Sequence, residues 1–218
     1  QRVSDFLPEC KKVGCTIEWL DIGGGFGIWY KDKLAKSADT IAEPLLPLIK
    51  EMGIKLILEP GRFIVGNAGI MVSRVLYLKE SGGKNFVICD AGMNDLLRPS
   101  LYGAYHRIWP VATEPGVQGE VPDEDTWEGP HIPTDLVGPI CESGDIFAKD
   151  RKMPPMKRGD LVAIYSTGAY GFVMSSTYNS HPRPCEVMGA GEEAKVVTKR
   201  EKFEDLIRNE SIVPFSLS

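Results

Sequence analysis

Hydrophobic positions in the N-terminal part of the chain alternate between a helical period and short continuous runs. The segment RVSDFLPEC predicts a helix that ends near Gly14, and DTIAEPLLPLIKEMG predicts a second helix that ends at Gly53. The apolar face of this second helix is predicted to consist of Ile41, Leu45, Leu48 and Ile49. The first helix is followed by CTIEWLDI, which predicts a strand, and the second by IKLILEPGR, which predicts a buried strand that runs into a turn. This alternation predicts parallel strands.

The pattern changes after Ala68, where strand-like segments follow one another and no long helix separates them. The strand-like segments are IMVSRVLYLKE, NFVICDAG, TDLVGPICES, DLVAIYSTGAY, PCEVMG and AKVVTK. Together they predict a β-rich domain with hairpin-type connections. A short helix is predicted over residues 202–208, and the segment 113–133, rich in Pro, Gly and acids, is predicted to be a long loop. We therefore expect an α/β part over residues 1–68 and an all-β domain over residues 69–218.

Two strand–helix units are too few to form a closed barrel or an open doubly wound sheet. Their strand edges would stay exposed if residues 1–68 stood alone. We therefore expect these residues to be the end of a larger α/β domain whose N-terminal part precedes Gln1.

Composition narrows the classes of function. The hydrophobic fraction of 43% and the charged fraction of 25% are typical of a soluble globular protein, and no apolar run is long enough to cross a membrane. A net charge of −5 without a Lys/Arg cluster gives no support for nucleic-acid binding. Five cysteines without metal-ligand spacing argue against a disulfide framework and against a zinc site, and they favour a cytoplasmic setting. We expect no metal, nucleic-acid or membrane partner.

The run GGGFG, from Gly23 to Gly27, directly follows the first predicted strand. Glycines let a backbone approach a ligand closely, and the ligand is often a phosphate. The run does not match the dinucleotide-binding pattern, because Ile28 occupies the third glycine position and the acidic candidate, Glu43, lies in a predicted helix. By itself, it is more simply interpreted as a tight turn.

The motif EPGR, from Glu59 to Arg62, follows the next predicted strand, so both loops are expected at the same end of the parallel pair. Backbone N–H groups around Gly24, Gly25, Gly61 and Arg62, together with the Arg62 guanidinium, could bind a phosphate there. A carboxylate at the end of a buried strand is costly unless it is paired. A protonated ring nitrogen would pair with Glu59, and pyridoxal phosphate carries both such a nitrogen and a phosphate.

Two further motifs carry candidate substrate-binding or catalytic side chains. In RPSLY, Arg98 and Tyr102 are four residues apart, which can bring them to one side of a helical turn, where they could bind a substrate carboxylate. A salt-bridged surface arginine and a packed tyrosine are the alternative. In CESGD, Cys141 and Glu142 follow an apolar strand, a common location of reactive groups, although a cysteine there is more often a buried small hydrophobe.

Tyr170 and the three histidines carry weaker signals. Tyr170 lies in the glycine-flanked turn of STGAYG, where its hydroxyl could donate to a phosphate oxygen; the alternative is a core tyrosine. The histidines have the features of ordinary surface or loop residues and are given no role; they are His106, His131 and His181.

The segments GGGFG, EPGR, RPSLY, CESGD and STGAYG, in this order and spacing, resemble the C-terminal half of the diaminopimelate decarboxylases. That family belongs to the alanine-racemase-like, fold type III group of pyridoxal-phosphate enzymes. The resemblance runs through essentially the whole chain. It implies the last two βα units of a (β/α)8 barrel, followed by a Greek-key-like β domain, and a head-to-tail homodimer. It also implies pyridoxal 5′-phosphate as cofactor and the decarboxylation of meso-diaminopimelate to L-lysine and CO2.

By position, the resemblance also implies the cofactor contacts. Glu59 would pair with the pyridine nitrogen and keep it protonated, and Tyr170 would reach the phosphate or the ring. The remaining residues would contact the cofactor phosphate, and they are Gly23, Gly24, Gly25, Gly61 and Arg62.

The resemblance implies a second set of residues that act on the substrate. Arg98 and Tyr102, with Arg62 nearby, would bind a substrate carboxylate. Cys141 and Glu142 would enter the active site of the other subunit. There Cys141 would handle the proton and Glu142 would bind the distal amino group of the substrate.

Other substrates and a non-catalytic role are the alternatives. Ornithine, arginine and carboxynorspermidine decarboxylases belong to the same group, but CESGD together with RPSLY favours diaminopimelate, whose far end carries both an amino group and a carboxylate. The Schiff-base lysine of the family lies on the first barrel strand, in a motif that this chain does not contain. We therefore expect the chain to be inactive alone. A non-catalytic β-domain protein, or a subunit that pairs with a separate barrel half, is the alternative.

Overall fold

A computed structural model describes residues 2–31, 35–111 and 127–215. Most of the predicted long loop, residues 112–126, lies outside the described residues. The described strands form a two-stranded parallel sheet, a six-stranded mixed sheet and a two-stranded antiparallel sheet. Within the described ranges, no helix has both the length and the apolar character needed to cross a membrane.

The N-terminal part contains two strand–helix units, as predicted. Its elements are α1 (Arg2–Lys12), β1 (Trp19–Asp21), α2 (Ala38–Met52) and β2 (Lys55–Ile57). Strands β1 and β2 pair in parallel, with Leu20 opposite Leu56. The residue that ends α2, Gly53, has a φ of 65°, and its N–H donates to the Lys50 carbonyl. Glycine adopts this left-handed conformation without strain, which explains why it is a reliable stop signal.

The prediction that β2 is buried is wrong for the described residues, and β1 is exposed as well. Trp19 is 53% exposed and Ile57 is 40% exposed. Leu48, expected on the packed face of α2, is 42% exposed, whereas its neighbour Ile49 is buried. The physical reason is that each strand has one neighbouring strand only, so its apolar side chains are left partly uncovered.

A short helix and a single 3-10 turn lead from β2 into the larger sheet. The helix α3 (Gly61–Val65) is followed by the turn Gly66–Ala68 and then by strand β3 (Met71–Ser81). The Thr167 N–H donates to the Gly69 carbonyl at 2.9 Å. A side chain on Gly69 would collide with the Gly168 backbone, because its Cβ would lie 2.5 Å from the Gly168 Cα. This close backbone contact ties the N-terminal part to the sheet.

The mixed sheet has the strand order β5-β8-β3-β4-β6-β7. Its remaining strands are β4 (Lys84–Cys89), β5 (Ile108–Pro110), β6 (Ile132–Val137), β7 (Ile146–Met153) and β8 (Leu161–Ile164). The prediction of hairpin-type connections is confirmed for β3–β4 and for the last two predicted strands, PCEVMG and AKVVTK, which pair in antiparallel orientation. It is wrong for β4 and β6, which pair in parallel. A parallel pair requires a long crossover, and the connection between these two strands includes β5 and the residues outside the description.

The main hydrophobic core lies on this sheet. Its members are buried apolar side chains from all six strands of the sheet and from the adjoining loops. The most deeply buried are Val75, Cys89, Leu96, Leu136, Met153, Val162 and Ile164. The chain then forms an exposed hairpin of β9 (Glu186–Ala190) and β10 (Glu193–Thr198), followed by helix α5 (Phe203–Ile207). Arg183 and Glu201, on either side of this hairpin, are hydrogen-bonded at 3.0 Å.

Candidate active site

The glycine run and EPGR meet where β1 and β2 end, as predicted from their positions after parallel strands. The Glu59 N–H donates to the Gly23 carbonyl at 2.9 Å. A Cβ on Gly24 would lie 2.6 Å from the Glu59 carbonyl oxygen, so this position requires glycine for the two backbones to approach. We name the two loops together, Gly23–Gly25 and Glu59–Arg62, the cup.

Two glycines of the cup already use their N–H groups in hydrogen bonds within the chain. The Gly23 N–H donates to Asp21 Oδ1 at 2.7 Å, and the Gly61 N–H donates to the Glu59 carbonyl at 2.9 Å. Within residues 2–31, 35–111 and 127–215, no acceptor engages the N–H groups of Gly24 and Gly25. These two are therefore the glycine donors that an anion could use, and Gly23 and Gly61 contribute shape.

Arg62 and Glu59 place a cation and an anion in the cup. The Arg62 guanidinium carbon lies 5.2 Å from the centroid of the Tyr170 ring, which is cation–π contact. This contact brings the AYG turn of the sheet domain beside the EPGR loop. Glu59 is exposed, with a carboxylate oxygen 3.9 Å from where a Gly23 Cβ would stand. No hydrogen bond or ion pair to another described residue engages this carboxylate.

The segment that follows the glycine run crosses to the sheet domain and is held there by hydrogen bonds. We name this segment, Trp29–Lys31, the strap. Asn67 Nδ2 donates to the Trp29 carbonyl at 2.8 Å, and Ser166 Oγ donates to the same oxygen at 3.1 Å. Arg107 Nη2 donates to the Lys31 carbonyl at 3.0 Å. No sequence pattern identifies the strap, because its residues form no regular secondary structure.

The two candidate residues of RPSLY differ in burial. They lie at opposite ends of helix α4 (Arg98–Tyr102), where Arg98 is 6% exposed and Tyr102 is 65% exposed. The alternative of a surface arginine and a packed tyrosine is therefore wrong. The Arg98 guanidinium carbon lies 5.0 Å from the centroid of the Tyr30 ring in the strap, and its Nη1 donates to His106 Nε2 at 3.0 Å.

The prediction that His106 is an ordinary surface residue is wrong. Its exposure is 0%, and both ring nitrogens make hydrogen bonds. Burial, the largest cause, and the nearby Arg98 and Arg151 cations together lower the pKa of its imidazole to about 4, against the opposing effect of the Tyr165 carbonyl. The missed signal is the buried strand β5, which begins at Ile108 and pairs with β8.

The CESGD turn, Cys141–Asp145, has two exposed side chains at its start and a buried aspartate at its end. Cys141 and Glu142 are exposed, so the interpretation of Cys141 as a buried hydrophobe is wrong. Asp145 is buried and accepts hydrogen bonds from the N–H groups of Met93 and Ile140, each at 2.6 Å. Burial raises the pKa of the Asp145 carboxyl, and these two hydrogen bonds oppose the shift.

Two further hydrogen bonds connect this turn to its surroundings. Ser100 Oγ in α4 donates to the Gly144 carbonyl at 2.6 Å, which links the RPSLY helix to the CESGD turn. The Tyr178 hydroxyl donates to Glu142 Oε2 at 3.5 Å. Tyr178 also lines an open cavity of about 660 Å³. No sequence pattern identifies the contacts of Ser100, Asp145 and Tyr178, because a contact between residues distant in sequence leaves no local pattern.

The sequence family described as "Pyridoxal-dependent decarboxylase, C-terminal sheet domain" matches residues 10–168. The chain belongs to the pyridoxal-dependent decarboxylases. This membership confirms the resemblance inferred from the five motifs. A diaminopimelate decarboxylase of Aquifex aeolicus is 43% identical to this chain over 208 residues, which are 95% of the chain and 46% of the relative.

Solved structures give the same result. The structure of diaminopimelate decarboxylase from Helicobacter pylori complexed with L-lysine has a TM-score of 0.83 and 37% identity, and the match covers 96% of this chain and 48% of that one. A lysine/ornithine decarboxylase of Vibrio vulnificus complexed with cadaverine has a TM-score of 0.66 and 26% identity over 81% of this chain. The chain thus spans about half the length of the relatives that it matches.

Proposed function

We propose that this chain is the C-terminal half of an enzyme that decarboxylates meso-diaminopimelate to L-lysine and CO2 with pyridoxal 5′-phosphate. The observation that carries the proposal is the cup, where unengaged N–H groups, the Arg62 guanidinium and the free Glu59 carboxylate lie at one end of a parallel strand pair. Relatives named diaminopimelate decarboxylase, more than 40% identical over most of the chain, support this substrate. The lower identity to a lysine/ornithine decarboxylase disfavours the ornithine-type alternative.

The residues of the cup fit this cofactor. The N–H groups of Gly24 and Gly25, the Arg62 guanidinium and the Tyr170 hydroxyl are donors suited to a phosphate. Glu59 has no competing partner among the described residues, so its carboxylate is available to hold a ring nitrogen protonated. When bound, pyridoxal phosphate supplies an electron-withdrawing ring that accepts the electron pair left by departing CO2.

Five side chains would act on the substrate. Arg98, with Tyr102 and Arg62, binds the carboxylate at the far end of diaminopimelate, and Glu142 binds the amino group beside it. An ornithine-type substrate lacks this distal carboxylate. Cys141 is exposed at the tip of its turn, and it donates or relays a proton to the carbon that has lost CO2.

We further propose the arrangement of the complete enzyme. Residues 1–68 end a (β/α)8 barrel, and residues 69–218 form a Greek-key-like β domain; the 3-10 turn ending at Ala68 and the start of β3 at Met71 support this boundary. The enzyme is a homodimer with shared active sites. In the described ranges, residues of the CESGD turn make hydrogen bonds with α4, Met93 and Tyr178 and none with the cup of the same chain, which supports a role in the site of the other subunit. Five free cysteines support a cytoplasmic location.

The test uses what we call the assembled enzyme, which is residues 1–218 joined to an N-terminal half, either its own or that of the Aquifex aeolicus relative. We expect it to release CO2 from meso-diaminopimelate, and to act poorly on ornithine and arginine. Absence of turnover on diaminopimelate would count against the proposed function.

The first prediction concerns Glu59 in the assembled enzyme. Glu59→Gln should lower kcat about ten- to a hundredfold, because a charge-assisted hydrogen bond of roughly 1.5–3 kcal/mol to the ring nitrogen is lost in the transition state. Cofactor affinity, measured by fluorescence titration, should change much less. Glu51→Gln, on the exposed side of α2, is the matched control. An unchanged kcat in Glu59→Gln would contradict the assigned role.

A further inference from the structure

We propose that His106 is a positioning residue for substrate recognition, whose neutral imidazole holds the Arg98 guanidinium ready for the distal carboxylate of the substrate. The proposal rests on the role proposed above for Arg98. His106 itself touches neither substrate nor cofactor. It acts through Arg98.

The hydrogen bonds of His106 fix one protonation state. Arg98 Nη1 lies 3.0 Å from Nε2, and the Tyr165 carbonyl oxygen lies 2.8 Å from Nδ1. A guanidinium can only donate and a carbonyl oxygen can only accept, so Nε2 is the acceptor and Nδ1 carries the proton. A doubly protonated ring could not accept from Arg98.

The charged groups around the ring oppose its protonation. Arg98 approaches from α4, and Arg151 approaches from β7, with its Nη1 donating to the His106 carbonyl at 2.6 Å. The strap presents the Tyr30 ring, edge-on at 5.5 Å, and the end of β8 presents the Tyr165 carbonyl. Both cations and the burial disfavour a positive charge on the imidazole, consistent with its lowered pKa.

A neutral partner has a specific consequence for Arg98. The guanidinium is held between the Tyr30 ring, at 5.0 Å, and His106, so its orientation is fixed from two sides. A carboxylate partner would fix it equally well but would cancel its charge and repel an anionic substrate group. His106 leaves the full positive charge and the remaining N–H donors of Arg98 available to a carboxylate.

The test compares two amide substitutions in the assembled enzyme. His106→Gln can place an acceptor near the position of Nε2, and so toward Arg98. His106→Asn can place polar atoms only near Nδ1, and so toward Tyr165. The readouts are kcat and KM for meso-diaminopimelate, and the inhibition constants of L-lysine, which keeps the distal carboxylate, and of cadaverine, which lacks it.

We expect His106→Asn to raise KM and the L-lysine inhibition constant about tenfold, the effect of one charge-assisted hydrogen bond. The kcat and the inhibition constant of cadaverine should change little, and His106→Gln should recover most of the lost affinity. In an Arg98→Gln background, His106→Asn should have no further effect on L-lysine, since the two residues act as one unit.

Three results would overturn the proposal. If His106→Asn weakens L-lysine and cadaverine equally, or if both amide variants behave alike while wild type turns over diaminopimelate, His106 has a structural role only. If wild type does not turn over diaminopimelate, the proposed function fails and the inference fails with it. Independently of activity, ¹⁵N NMR of the full 218-residue chain should show the neutral Nδ1–H tautomer at neutral pH. A protonated ring or an Nε2–H tautomer would overturn the proposal even if the variants fail to fold.

Discussion

His106 and Arg98 show how much a single side chain depends on residues that are distant in sequence. The RPSLY motif and the spacing of Arg98 and Tyr102 could be read from the sequence, and the short helix that joins them is confirmed. The burial of Arg98 could not be read, because it depends on the Tyr30 ring of the strap and on His106. An arginine in a short motif is expected at the surface unless the residues that pack over it are known.

The state of His106 predicts a pH dependence of stability. Its pKa is about 4 in the folded chain against 6.5 for an unperturbed histidine, so the unfolded chain binds more protons between these values. Stability should therefore fall as the pH falls from 6.5 toward 4, and this group should contribute a loss of up to about 3 kcal/mol. Urea unfolding of wild type and His106→Gln across this range measures the difference, which should be largest at high pH.

The control for this experiment is His131, an exposed histidine. His131→Gln removes an exposed imidazole in place of the buried one, and its free energy of unfolding is measured over the same pH range. A difference between wild type and His106→Gln that stays constant from pH 4 to pH 7 would show that the imidazole is not held neutral by the fold.

Among the elements, the cup is the one whose two halves could be placed together from the sequence. GGGFG and EPGR each follow a strand of a parallel pair, and the end of a strand is a position that local pattern identifies. Which glycine N–H groups are free was not predictable, since that depends on the Asp21 side chain and on a tight turn at Glu59.

Two glycines of the first loop give a matched test of this packing. Neither Gly24 nor Gly27 has a positive φ, but a Cβ on Gly24 would lie 2.6 Å from the Glu59 carbonyl, and a Cβ on Gly27 would meet nothing within 4 Å. Gly24→Ala should therefore destabilise the chain by about 1–3 kcal/mol in urea unfolding and weaken cofactor binding in the assembled enzyme. Gly27→Ala should change stability by less than about 1 kcal/mol. Equal effects of the two substitutions would mean that the loops do not pack as described.

The strands of the mixed sheet divide into those with a local pattern and those without one. β3, β4 and β8 are apolar runs and were predicted. β7 was missed because its sequence, IFAKDRKM, carries four charged residues, although Phe147 and Met153 point into the core. β5 was missed because it has only three residues. The parallel pairing of β4 with β6 depends on tertiary packing, so the local hydrophobic pattern does not predict it.

At the scale of the whole molecule, the proposed sharing of active sites makes a quantitative prediction. Subunits with Glu59→Gln and subunits with Cys141→Ala, each strongly impaired alone, are unfolded and refolded together in equal amounts. Half of the dimers are then mixed, and each mixed dimer has one site with an intact Glu59 and an intact Cys141 from the other subunit. The mixture should recover about a quarter of the wild-type activity.

A second mixture serves as the control. Cys141→Ala subunits combined with Glu142→Gln subunits should recover nothing, because both side chains belong to the same turn and every site of the mixed dimer carries one defect. No recovery in the first mixture, together with dimers of normal size by light scattering, would show that each site is built from one subunit.

The strand order of the mixed sheet also has a consequence for how the protein is made. β3 lies at the centre of the sheet, but the strand on one side of it, β8, is distant in sequence, and Met71 pairs with Ile164. The ribosome must therefore synthesise the chain beyond Ile164 before β3 can pair with both of its neighbouring strands. Until then its apolar residues depend on the β3–β4 hairpin alone, and closing so long a loop is slow. The nascent chain is thus most exposed to aggregation and to chaperones while the middle of the sheet domain is being synthesised.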